Sequence, residues 1–179
     1  MSDQDDKLDQ NLDQDQDQDS FTPTHEEYDD AELLEQGQAN AQALIIATVA
    51  YLQERGVPLD DWSAGIGRRF TAAWGAPEPW PAGEFLDAML TNLRSLGAVV
   101  EWADLDDATV ASATLSNLFD EEQCLLFGTS REDALNYLDA TREIAAMRGL
   151  AWEWQSDGDD VQIKVRAADT ASISSPMPG

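Results

Sequence analysis

Around Gly97 the spacing of apolar residues changes from a helical period to that of strands. This switch confines the chain to a fold with segregated helices and antiparallel hairpins. Ahead of it lie three helical patterns. The first runs from about Asp30 to Arg55, and its stretch from Ala41 to Tyr51 is apolar nearly all round, as expected of a central helix packed on several sides. Gly56 and Pro58 end it. The second begins at Asp60 or Asp61, where a carboxylate can cap the free amides, and ends near Trp74 and Gly75. Its apolar stripe is Trp62, Ile66, Phe70 and Ala73. Pro77, Pro79 and Pro81 impose an extended linker, and Pro81 opens a third helix carrying Phe85, Leu86, Met89, Leu90, Leu93 and Leu96.

Beyond Gly97, Ala98–Trp102 reads as a strand, Asp104–Asp107 as a turn, and Thr109–Leu115 as the hairpin partner. Ser130 and Asp133 form a capping-box pattern that opens a fourth helix, Arg131–Arg148, with Gly149 as its stop. Strands over Ala151–Gln155 and Val161–Arg166 follow, joined by the turn Ser156-Asp157-Gly158-Asp159. The expected fold is α+β: three N-terminal helices, then two β-hairpins flanking a fourth helix, with the helices on one face of a small antiparallel sheet. Residues 30–167 form one domain. The Asp/Gln-rich segment 1–29 and the Ser/Ala/Pro-rich segment 168–179 are expected to be disordered tails, having little to bury.

Charge narrows the partners. Twelve acidic residues against Lys7 in the first thirty positions account for −11 of the formal −26, leaving −15 for the rest. Nucleic acid and anionic membranes are therefore disfavoured, whereas a basic protein partner is compatible, as is a homodimer. The start of the chain lacks the basic and apolar regions of a signal peptide, and no apolar run is long enough to span a membrane. A cytoplasmic location is expected.

Catalytic constellations are scarce. Cys124, the single cysteine, would need a base to become a thiolate, and the single histidine, His25, sits in the acidic tail. In Gln-Cys-Leu-Leu-Phe this cysteine reads as a small buried apolar residue. The lack of imidazole also argues against a Ser-His-Asp triad and against zinc or iron sites. No metal and no cofactor are expected. The acidic turns at Asp104–Asp107 and Asp157–Asp160 lack EF-hand spacing, and Gly65-Ile66-Gly67 follows no strand, so it is not a nucleotide fingerprint. Among the many carboxylates, Glu84, Glu101 and Glu153 are the ones nearest apolar segments, and surface placement is their simplest reading.

Tryptophan is the unusual content: Trp62, Trp74, Trp80, Trp102, Trp152 and Trp154. Trp74 and Trp80 bracket the proline linker, Arg68 and Arg69 lie about a turn before Trp74, and Trp102 is on the first hairpin. Arg69, Trp74, Trp80 and Trp102 are the candidate ligand-binding residues, lining a pocket for a flat apolar or anionic small molecule. Filling the core of a small domain is the competing role for these rings.

Three segments resemble a known group. Leu52-Gln-Glu-Arg-Gly56 leads into Gly67-Arg-Arg-Phe70 and Trp74, Leu96-Gly-Ala-Val-Val-Glu101 opens the first hairpin, and Asp157-Gly-Asp-Asp-Val-Gln-Ile-Lys-Val165 forms a closing strand. From Leu44 onward this layout resembles the superfamily of 4-vinyl reductase domains and aminothiazoline-carboxylate hydrolase-like proteins. The resemblance implies a small-molecule-binding or sensory scaffold, in some members linked to tetrapyrrole or hydrocarbon metabolism. Members often carry a cysteine in the last strand, but Asp160-Val161-Gln162 has none, and no catalytic residue transfers. The expected function is therefore a non-catalytic small-molecule-binding or regulatory domain. Two alternatives are a hydrolase of the aminothiazoline-carboxylate type, using acidic residues or Cys124, and an acidic protein-interaction module.

Overall fold

The computed structural model describes residues 28–168. Helices α1 (Asp30–Glu54), α2 (Leu59–Thr71, continued by a 3-10 turn over Ala72–Trp74) and α3 (Ala82–Ser95) come first. Strands β1 (Val99–Asp104) and β2 (Val110–Ser116) follow, then α4 (Glu121–Leu126), α5 (Arg131–Leu135), a 3-10 turn over Asn136–Asp139, and α6 (Ala140–Met147). Strands β3 (Leu150–Asp157) and β4 (Asp160–Ala167) close the fold. The segments expected to be tails fall almost wholly outside the described residues, as does His25. Among the described residues no helix is long and apolar enough to cross a membrane.

The sheet is antiparallel throughout, in the order β1-β2-β4-β3. Alternation sorts its two faces. Ala111, Ala113 and Leu115 of β2 and Val161, Ile163 and Val165 of β4 are buried on one side, with Leu150 and Trp152 of β3 in the same core. Helix α3 lies across that side with Phe85, Leu86, Met89 and Leu90 buried. The class is α+β, as the change of period predicts.

The local signals explain most boundaries. Asp29 and Glu32 make the reciprocal capping box of α1, at 2.9 Å each way. The Ser130 hydroxyl accepts from the Asp133 amide at 3.1 Å and starts α5. Three expectations about α2 and the fourth helix need correction. Pro58, not an aspartate, is the N-cap of α2, and Asp60 and Asp61 sit in its first turn, where they face the positive end of the dipole. The stripe Trp62–Ile66–Phe70–Ala73 is not the buried face of α2: its buried residues are Ser63 and Gly67. Gly67 lets the α2 backbone lie against α6, since a Cβ there would overlap the Ala140 carbonyl oxygen. Finally, the fourth helix is broken. The Asn136 side chain donates to the carbonyls of Glu132 (3.2 Å) and Asp133 (3.3 Å), the chain tightens to 3-10, and α6 starts afresh at Ala140.

Helix α1 is not central either. Polar tethers attach one side of it: Gln42, buried, donates to the carbonyls of Leu96 (2.7 Å) and Asn117 (3.3 Å) and accepts from the Phe119 amide (2.8 Å). Gln38 donates to the Arg94 carbonyl, and the Thr129 hydroxyl donates to Gln53. Ile46, Val49 and Ala50 fill the same side, while Leu44 is 70 % exposed. Asn117 and Phe119 adopt φ of 58° and 57°, conformations uncommon outside glycine, and Gln42 bonds both backbones. Buried Arg131 completes that clamp, its Nε donating to the carbonyls of Leu118 (3.1 Å) and Phe119 (2.8 Å).

Two glycines give opposite expectations. A Cβ at Gly83 would overlap the Leu105 carbonyl oxygen, so Gly83→Ala should destabilise the fold by about 1–3 kcal/mol in urea unfolding, despite alanine's better helix propensity. Gly37, in the helical interior of α1, has open space around its Cβ position, and Gly37→Ala should stabilise by roughly 0.5–1 kcal/mol.

Candidate functional site

Four aromatic rings form a continuous run from the linker into the core. Trp80 meets Trp74 nearly edge-on at 5.9 Å between centroids, Trp74 meets Phe85 at 6.1 Å, and Phe85 meets Trp152 edge-on at 6.4 Å. The linker that carries Trp74 and Trp80 has three prolines, hence three positions without an N–H and no regular ladder for its carbonyls. Arg148 supplies the missing donors. Only 2 % exposed, it donates from Nη1 to the Ala76 carbonyl at 3.0 Å and from Nη2 to the Trp74 carbonyl. Its guanidinium lies 4.4 Å over the Trp80 ring and 3.5 Å from the exposed Glu78 carboxylate. The Trp80 amide in turn donates to the Arg148 carbonyl at 3.2 Å. A planar fork can serve two carbonyls and stack on a ring at once, which an ammonium cannot.

This clamp holds Trp74 as one wall of a cleft of about 240 Å³ between α2, α3 and α6. Phe70, Met89, Leu93, Tyr137 and Ile144 complete the apolar lining, and Asn92 and Thr141 supply polar groups. Burial pushes the Tyr137 phenol above its ordinary range; at pH 7 it is neutral, as an ordinary phenol is, and able to donate. No lysine or arginine lines the cleft.

Trp102 lies elsewhere. It stands 54 % exposed on the open face of the sheet, beside a concavity of about 440 Å³. There the row Trp102–Thr114–Gln162–Gln155 crosses all four strands, flanked by Ser112, Lys164 and Glu153. Several of these polar groups are already paired: Gln155 donates to Gln162 at 2.8 Å, and Glu153 holds Arg166 at 3.0 Å. Arg69 joins neither concavity, since its Nη1 donates at 2.8 Å to the Gly65 carbonyl of its own helix. Of the four residues singled out from sequence, the structure unites Trp74 and Trp80 and sets Arg69 and Trp102 apart. The arginine beside those rings is Arg148, and the other aromatic rings on the cleft are Phe70 and Tyr137. Sequence offers no sign that Arg148, one residue before a helix-ending glycine, would be buried, and Tyr137 falls inside the expected fourth helix with nothing local to mark it as a site residue.

Cys124 lines neither place. Cys124 is fully buried, and burial first, then the carboxylates of Glu121 and Asp120, push its thiol up to about 11. Among the described residues no group of three or more His, Cys, Asp or Glu side chains could hold a metal ion.

Two outcomes test this geometry. Arg148→Met should cost about 2–4 kcal/mol in urea unfolding because two linker carbonyls lose a buried donor, and Arg148→Lys should restore only part of it because an ammonium cannot serve both carbonyls and stack on Trp80. Cys124 should react with Ellman's reagent at pH 8 only on unfolding. Stability should then fall as pH rises from the thiol's ordinary 9.0 through about 11, because the unfolded chain releases this proton first. Compared with known proteins, the chain matches no family model, no curated protein and no solved structure.

Proposed function

We propose that this protein is a non-catalytic binding domain for a flat, neutral, largely apolar small molecule, held in the cleft between α2, α3 and α6. One observation carries the reading: an apolar opening beside a tryptophan that a buried arginine fixes in place, with the Tyr137, Asn92 and Thr141 side chains at hand as polar contacts. Ligand sites combine these elements, a concave apolar wall and a few placed polar groups. An apolar cavity of roughly 150 Å³ accommodates benzene, so about 240 Å³ suits a molecule of one or two rings. The absence of a cation from the lining favours a neutral ligand over an anionic one. The resemblance of the layout from Leu44 onward to the 4-vinyl reductase-like group points to the same class of scaffold. The burial of Cys124 disfavours the hydrolase alternative.

The probe is 2-naphthol, followed by ¹H–¹⁵N NMR. Saturable shifts are expected around Phe70, Trp74, Tyr137 and Thr141, with Kd below about 1 mM, and Thr141→Phe, which fills the cleft, should abolish them. Shifts that do not saturate, that centre on Trp102, or that persist in Thr141→Phe would overturn the assignment.

A further inference from the structure

Helix α1 presents a second face, opposite the one that Gln42, Ile46, Val49 and Ala50 turn into the domain. Along it Leu33, Gly37, Asn40, Leu44, Ala47 and Tyr51 succeed one another at alternating steps of four and three, the heptad spacing of a helix that pairs with another helix. Leu33, Leu44 and Tyr51 are 55 %, 70 % and 53 % exposed, Gly37 and Asn40 are exposed, and Ala47 is half-buried. From Gln36 to Gln53 the helix bears no charged residue at all, in a chain of formal net charge −26. A solvated helix face in such a chain should be charged, whereas depletion of charge with aromatic and aliphatic content marks the core of an interface.

The stripe is also close to symmetric in side-chain size, with a large residue then a small one inward from either end. Reversing one helix about Gln42 sets Leu33 against the partner's Tyr51, Gly37 against the partner's Ala47, and Asn40 against the partner's Leu44. Large side chains then meet at the ends, small ones meet next, and Asn40 faces the partner's Leu44 on either side of the centre. This is the self-complementarity that a two-fold interface requires. Charge selects the direction. Asp29, Asp30, Glu32 and Glu35 crowd one end of α1, and a parallel pair would bring these acids together. An antiparallel pair lays them beside the partner's residues 49–55, which carry one acid and one base, Glu54 and Arg55, instead of beside four further acids, and sets the helix dipoles in opposition. A basic protein would gain nothing on this face, which has no carboxylate between Glu35 and Glu54.

We propose that α1 is a dimerisation helix, pairing antiparallel with α1 of a second copy through Leu33, Gly37, Asn40, Leu44, Ala47 and Tyr51. The proposal does not depend on the cleft. The paired strip is about 27 Å long, at the lower end of specific interfaces, so the dimer is of micromolar strength. Added salt strengthens it by screening repulsion between two acidic chains.

Sedimentation equilibrium of the full chain tests the association. Twice the 19.6 kDa chain mass is expected at tens of micromolar, with Kd falling as NaCl is raised. Leu44→Glu, at an exposed position, should raise Kd at least tenfold with an unchanged circular dichroism spectrum. Oxidative cross-linking tests the direction: Leu33→Cys chains mixed with Tyr51→Cys chains should give the mixed disulfide, and each variant alone should give little. A monomer at every concentration, a dimer indifferent to Leu44→Glu, or self-linking of Leu33→Cys would each overturn the proposal.

Discussion

The buried guanidinium of Arg148 is the interaction on which the geometry of the cleft depends. Residues 75–80, with prolines at 77 and 79, join no helix or strand, and the carbonyls of Ala76 and of Trp74, the last residue of the preceding 3-10 turn, have no regular partner. Arg148 bonds both of them and stacks on Trp80, converting a stretch without regular structure into a fixed strap. The position of Trp74 follows from that strap, and the ring run Trp80–Trp74–Phe85–Trp152 ties it to the sheet. A guanidinium buried in this way must keep its partners, because removing them would leave an uncompensated charge in the interior.

Small residues set the remaining wall. At Gly67 helix α2 lies against the backbone of α6, and one turn later Phe70 stands at the opening of the cleft. Close approach at one point and bulky rings at the next leave a gap between helices that would otherwise pack flush. The sheet takes no part in this opening. Its open face is polar and partly self-paired, which is the ordinary condition of the solvated side of an antiparallel sheet.

The architecture was legible where periodicity and punctuation agreed. The change of period near Gly97 gave the class, and Gly158 with its aspartate neighbours gave the second hairpin. Reading failed where composition was uniform. Ala41–Tyr51 is apolar nearly all round, so the pattern could not distinguish a helix buried on every side from one that leaves an apolar face exposed. It failed again where a side chain competes with the backbone, as Asn136 does in dividing the fourth helix. Helix α4 went unassigned in the sequence, although Asp120 caps it through the Gln123 amide at 2.8 Å. Of the candidate site, the pairing of Trp74 with Trp80 was visible because both border the prolines. The choice of Arg148 over Arg69 was not, because nothing local reveals which guanidinium will meet the strap's carbonyls.

Ligand binding in the cleft requires it to be an open apolar site in the folded protein. The most direct measurement is diffraction from crystals of the protein under xenon, which occupies dry apolar cavities. A xenon peak in van der Waals contact with Trp74, Leu93 and Ile144 is the expected result. A cleft closed by its own side chains, with no xenon at that position, would contradict the assignment.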